Sequence, residues 1–167
     1  ADIFPDLASI QRQFHNLVRT VPGNGLIIAN GDQASVAEML AIGCWTPLQR
    51  FGEAAGNDWR IAALAADGGG FDFVHSADNR LQQAPLTLPG LHNAQNALAA
   101  IVAARHVGVP VETAVAALAQ FRGVRRRLEL RGEVAGVQVF DDFAHHPTAI
   151  EMTIAALRRQ NGSGRIL

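Results

Sequence analysis

Short apolar runs alternate with helix-period segments along this chain, and that alternation most restricts what it can fold into. Leu26-Ile27-Ile28-Ala29 is a fully apolar run of strand length. Buried strands of parallel sheets read this way, because both of their faces are covered. It follows the turn Pro22-Gly23-Asn24-Gly25 and precedes Asp32 and a helical pattern over about 33–42 that carries Val36, Met39 and Leu40 and stops at Gly43. Asp32 is the expected cap of that helix. A strand feeding a helix is the unit from which parallel sheets are built. Upstream, Leu7, Ile10, Phe14, Leu17, Val18 and Val21 recur at helical spacing and predict an amphipathic helix over roughly 5–20.

The middle of the chain changes character. Trp59–Ala66 and Phe71–Ser76 flank Asp67-Gly68-Gly69-Gly70, a hairpin signal, and a third strand is expected over Leu81–Leu88 before Pro89-Gly90. A strand rather than a helix follows the glycine triplet, so it reads as a turn and not as a phosphate loop. Leu91–Val107 is an Ala-rich helix stopped by Gly108, and Pro110–Gln120 is another with proline near its start. Phe121-Arg122-Gly123 leads into a second hairpin, Leu128–Ala135 with Val137–Asp142, and a last helix follows Pro147. Helical packing gives way to a new hairpin at Gly123. The expected division is therefore residues 1–123 and 124–167.

Composition narrows the function classes. With 49% hydrophobic residues and a formal charge of −1 the chain can build a core and has no bias toward a polyanion. No apolar stretch nears the roughly 20 residues of a membrane span. One cysteine, Cys44, excludes an intrachain disulfide and suits a reducing, cytoplasmic compartment; beside Trp45 it is expected to be core packing. All 14 basic residues are arginine, so neither a lysine-containing phosphate loop nor a catalytic lysine lies within these residues. The chain opens without Met and closes on Arg165-Ile166-Leu167, which reads as a strand beginning, so a piece of a longer polypeptide is expected.

Four clusters could carry chemistry. His92-Asn93-x-x-Asn96 sits at the start of the Ala-rich helix, with the two asparagines on one face. A carboxamide pairs a donor with an acceptor, as the N6/N7 edge of adenine does; plain helix capping is the alternative. Arg122, Arg125, Arg126, Arg127 and Arg131 could fork onto phosphate oxygens or line a solvated strand edge. Nucleic acid is disfavoured, since no aromatics interleave the arginines and the chain has no positive excess. In Asp141-Asp142-Phe143-Ala144-His145-His146-Pro147-Thr148, Asp142 and His145 could hold a sugar hydroxyl, a metal or a moving proton. A polar turn capped by Thr148 is the alternative there, and adjacent histidines lack zinc-pair spacing. The fourth, Gly43–Pro47 with Asp2, suggests no chemistry by itself.

In this order, His-Asn-x-x-Asn, then Phe-Arg-Gly-Val-Arg-Arg-Arg-Leu-Glu, then Asp-Asp-Phe-Ala-His-His-Pro-Thr, the chain resembles the Mur ligase family, which forms amide bonds in bacterial peptidoglycan synthesis at the expense of ATP. The last motif and the opening Ala-Asp-Ile-Phe-Pro-Asp-Leu look most like the branch that recycles murein peptides. The resemblance implies an α/β fold: the second half of a central ATPase domain (a parallel sheet with helices and a small antiparallel sheet), then the start of a Rossmann-like C-terminal domain. It implies ATP and Mg2+, with the metal ligands upstream of Ala1. UDP-N-acetylmuramate and the tripeptide L-Ala-γ-D-Glu-meso-diaminopimelate are the implied substrates, joined through an acyl phosphate. His92, Asn93 and Asn96 would lie at the adenine, Arg127 at the phosphates, and Asp142 near the ribose with His145 in the same loop. The L-alanine-adding branch and a non-catalytic nucleotide-binding module are the alternatives.

Overall fold

A computed structural model describes residues 3–167, so Asp2 lies outside the described residues. The elements run α1 (Leu7–Thr20), β1 (Ile27–Asn30), α2 (Ala34–Ala41), β2 (Leu48–Gly52), β3 (Trp59–Leu64), β4 (Gly70–His75), β5 (Leu81–Pro85), α3 (Leu91–His106), α4 (Val111–Leu118), β6 (Glu129–Val134), β7 (Val137–Asp141) and α5 (Pro147–Asn161). Strands β1 to β5 form one sheet in chain order. β1, β2 and β3 pair in parallel, while β4 and β5 extend the same sheet antiparallel. The glycine triplet supplies the β3–β4 turn, as the sequence predicts. The parallel and antiparallel parts are thus continuous, and β6–β7 stands apart as a two-stranded hairpin.

The main core lies between the sheet and α3. Alternate residues of β3 and β4, Trp59 with Ile61 and Phe71 with Phe73, point to one face, and Ala84 of β5 joins them. α3 answers with Ala94, Ala97, Leu98, Ile101 and Val102, a stripe at helical spacing whose alanines bring the helix close to the strands. α4 closes the layer with Val111, Ala114, Val115 and Leu118. A smaller core joins α1, β1 and α2 through Val18, Ala29 and Leu40, with Cys44 half-buried against it as expected for core packing.

Some expectations do not hold. Asp32 does not cap α2. Gln33 occupies the N-cap position without a side-chain bond. The Asp32 carboxylate instead accepts the Glu53 N–H at 2.6 Å, the Ala54 N–H at 3.0 Å and the Asn57 amide at 2.8 Å. Three donors beyond β2 outcompete one helix N–H. Burial alone would raise this carboxyl, but these bonds hold it below its ordinary range. β2 was unforeseen, because Leu48-Gln-Arg-Phe-Gly52 has no long apolar run; its place between two strands comes from pairing, not composition. Gly43–Pro47 is the crossover into it: Thr46 donates to Val21 O at 2.8 Å, and Pro47 O accepts the Ile27 N–H at 2.9 Å. β5 ends at Pro85, three residues short of the expected Leu88. Residues 165–167 form no strand.

Candidate functional site

Gly90 sits at φ +110° and turns the chain from the post-β5 segment into α3. A Cβ there would stand 3.1 Å from the His92 ring, tighter than ordinary contact, and 3.4 Å from Ala156 Cβ on α5, so the absent side chain leaves room for the His92 ring. α3 has no side-chain N-cap bond. Asn93 Nδ2 donates back to Pro89 O at 2.9 Å, which fixes the carboxamide. Asn96, one turn on, is exposed along the same face.

These residues form one wall of a cavity of about 570 Å³. Leu86, Leu88, Phe121 and Met152 give it an apolar lining, and Arg127 and Asp142 line it together with the asparagines. The cavity therefore gathers His92, Asn93, Asn96, Arg127 and Asp142 from three sequence clusters. His145 is not among its lining residues. It is exposed, with Nδ1 3.0 Å from Phe143 O and its ring beside those of Phe143 and His146 at 5.1 and 4.4 Å.

Arg127 owes its place to an unusual stretch of backbone. Arg126 has φ +59° and Leu128 φ +48°, left-handed conformations on both sides of it. Such non-glycine residues cost about 1–3 kcal/mol each and persist where their surroundings fix them. Here two carboxylates do so. Glu129 Oε2 accepts the Arg126 N–H at 2.8 Å, and Asp142 Oδ2 accepts the Leu128 N–H at 2.9 Å. Phe143 N–H also donates to Arg126 O at 2.8 Å, closing the loop against β7. Asp142 Oδ1 takes the Ala144 N–H at 2.7 Å and a longer bond from the Thr153 hydroxyl at 3.4 Å. Asp142 thus ties the hairpin base, the following loop and α5 together.

The arginines divide by partner. Arg126 lies over the Phe143 ring at 4.8 Å and 3.7 Å from Asp141, an exposed pair of little strength. Arg131 bonds Glu129 Oε1 at 3.0 Å. Among the described residues Arg127 has no carboxylate within 4.0 Å, which leaves its charge to the cavity. Arg122 and Arg125 line an adjoining groove that Arg127 also borders. Burial holds His92 below its usual range; Asp142 pulls it up and Arg127 pushes it down. Glu129, Met152 and Thr153 escaped sequence reasoning. Glu129 carried one readable signal, a carboxylate two residues beyond the arginine run. Among the described residues no three or more of His, Cys, Asp and Glu gather as a metal site.

An apolar slot lined by two carboxamides and by a guanidinium without a carboxylate partner suits a flat heteroaromatic ring that carries an anionic tail. Two family profiles match the chain: the Mur ligase middle domain over residues 1–104, and the Mur ligase glutamate ligase domain over residues 126–167. The chain belongs to the Mur ligase family. Among its curated relatives, the UDP-N-acetylmuramate–L-alanyl-γ-D-glutamyl-meso-2,6-diaminoheptandioate ligase of Haemophilus influenzae is 45% identical over 100% of this chain and 36% of its own length. The UDP-N-acetylmuramate–L-alanine ligase of Acidothermus cellulolyticus is 36% identical over 98% of this chain and 35% of its own. The crystal structure of a murein peptide ligase from Psychrobacter arcticus matches with a TM-score of 0.72 and 42% identity, covering 96% of this chain and 34% of that one. The chain thus spans about a third of the length of the Mur ligases it matches.

Proposed function

We propose that this chain supplies the nucleotide-facing junction of an ATP-dependent ligase that joins L-Ala-γ-D-Glu-meso-diaminopimelate to UDP-N-acetylmuramate. One observation carries the reading: the asparagines of α3 and Arg127 of the hairpin base meet across a single cavity. We place the domain boundary at Gly123, so the cavity lies between two domains and closure would complete it. This placement is supported by profile matches that end at residue 104 and resume at residue 126.

The roles follow from chemistry. Asn93 is held by Pro89 O through its amide nitrogen and keeps its carbonyl free, and Asn96 keeps both groups free to read an adenine edge. Arg127 would neutralise phosphate oxygens as charge shifts during transfer. Each Asp142 oxygen accepts a backbone N–H and retains a further lone pair, enough to take a ribose hydroxyl. Bound ATP supplies the phosphoryl group that activates the muramate carboxylate; the described residues orient it, and Mg2+ would be held elsewhere in the ligase. We assign the ligase to the cytoplasm, which fits a lone reduced cysteine and the lack of any described helix long and apolar enough to cross a membrane.

The tripeptide rather than L-alanine is preferred as acceptor because the relative named for the tripeptide is 45% identical, against 36% for the one named for L-alanine. The test is ATP-dependent amide formation by the intact ligase that contains this chain, assayed with each acceptor. Turnover with the tripeptide, falling about a hundredfold in Arg127→Ala, is expected. Turnover with L-alanine alone would refute the acceptor, and an unimpaired Arg127→Ala would refute the site.

A further inference from the structure

Arg127 is the one side chain of its run that faces the cavity without a carboxylate partner, and it stands between two left-handed residues. A left-handed arginine gains stability by relaxing to φ near about −60°. At Arg126 that change rotates the following chain by about 120° and takes the Arg127 guanidinium off the cavity wall. Something must therefore hold the bond before Arg127. Asp142 holds only the far side, at the Leu128 N–H. On the near side two backbone bonds hold the Arg126–Arg127 peptide, from Phe143 N–H to Arg126 O at 2.8 Å and from Arg127 N–H to Val124 O at 3.1 Å, and the side-chain acceptor is Glu129 Oε2, 2.8 Å from the Arg126 nitrogen. Its other oxygen is pinned by Arg131 at 3.0 Å, so the carboxylate itself has little freedom to swing away.

We propose that Glu129 is a positioning residue, which locks the left-handed turn before Arg127 and so keeps that guanidinium aimed into the cavity. It touches no reacting atom and acts only through the backbone. The role rests on the reading of Arg127 as the phosphate-facing group. Arg131 becomes a second support of the same device, acting on Glu129 and not on the ligand.

The experiment is a double-mutant cycle on kcat in the intact ligase, with ATP and the tripeptide as substrates. Glu129→Ala is expected to lower kcat about tenfold with the tripeptide KM unchanged. Glu129→Gln keeps an oxygen acceptor for the Arg126 N–H and is expected to recover most of that loss. Glu129→Asp keeps the charge but draws the acceptor back by one methylene, and is expected to lose nearly as much as alanine. It also stands in if Glu129→Ala does not fold. In the Arg127→Ala background Glu129→Ala should cost less than about twofold, because there is no longer a guanidinium to aim. A tenfold cost persisting in that background overturns the proposal, as does Glu129→Gln behaving like Glu129→Ala. Wild-type turnover in Arg127→Ala overturns instead the nucleotide reading beneath it.

Discussion

Asp142→Ala removes the acceptor of two backbone N–H groups at once, those of Leu128 at 2.9 Å and Ala144 at 2.7 Å. Hydrogen bonds to a charged acceptor contribute about 1.5–3 kcal/mol each. The site is half-buried, so water replaces part of what is lost, and the lower end applies. The Thr153 contact at 3.4 Å is too long to add much. A net cost of about 2 kcal/mol to keeping this loop closed follows, which is roughly a 30-fold rise in its opening constant. Amide hydrogen exchange followed by NMR reads that constant locally. The Leu128 and Ala144 amides should exchange about 30-fold faster in the variant, while amides of β3 and β4 keep their wild-type rates. Asp142→Asn keeps one oxygen and turns an NH2 toward the other N–H, so it should recover at most half of the effect. Exchange at Leu128 and Ala144 within about threefold of wild type would refute the account of Asp142 as the tie between hairpin and loop.

Burial holds His75 and His92 below the ordinary histidine value of 6.5. The unfolded chain then takes up protons first, so unfolding free energy should fall as pH drops below 6.5 toward the folded values and be flat above it; urea melts across that window check this, and His75→Gln with His92→Gln should flatten the slope. Phe73 is 0% exposed between Trp59 and Phe71, so Phe73→Ala should cost about 3–5 kcal/mol in denaturant unfolding, against less than about 0.5 kcal/mol for Leu17→Ala at 60% exposure. Asp32→Ala strands the amide of Asn57, which is buried at 5% exposure, and frees the Glu53 and Ala54 N–H groups; a loss of about 2–4 kcal/mol by thermal unfolding is expected, and Asp32→Ser, a good helix cap, should not restore it.

Local patterns were legible where local physics decides. The glycine triplet at 68–70 and Gly136 announced both hairpins, and the Ala-rich stripe of α3 announced its buried face. Non-local pairing was not. β2 joins the sheet only because β1 and β3 present it with ladders, which no run within Leu48–Gly52 encodes. Asp32 showed the same limit: in sequence its nearest donors are those of α2, whereas in space its donors lie 21 to 25 residues away. The clusters around Asn93, Arg127 and Asp142 were readable as residue types, and the cavity brings them together. What no spacing rule encodes is that Arg126 and Arg131 spend their charge on neighbours while Arg127 keeps its own. The apolar residues of α5 are turned outward in part: Ile150 and Ile154 are exposed at 42% and 46%, and Ala156 is the buried contact.

Gly90 works as a gauge at the His92 wall of the cavity. A Cβ on its α-carbon would stand 3.1 Å from the His92 ring, while the Ala156 methyl lies at ordinary contact distance, 3.4 Å. One added methyl would strain a backbone at φ +110° and push the His92 ring, which lines the slot, from its place. The shape of the slot at that wall is thus written into a residue that has no side chain to touch anything.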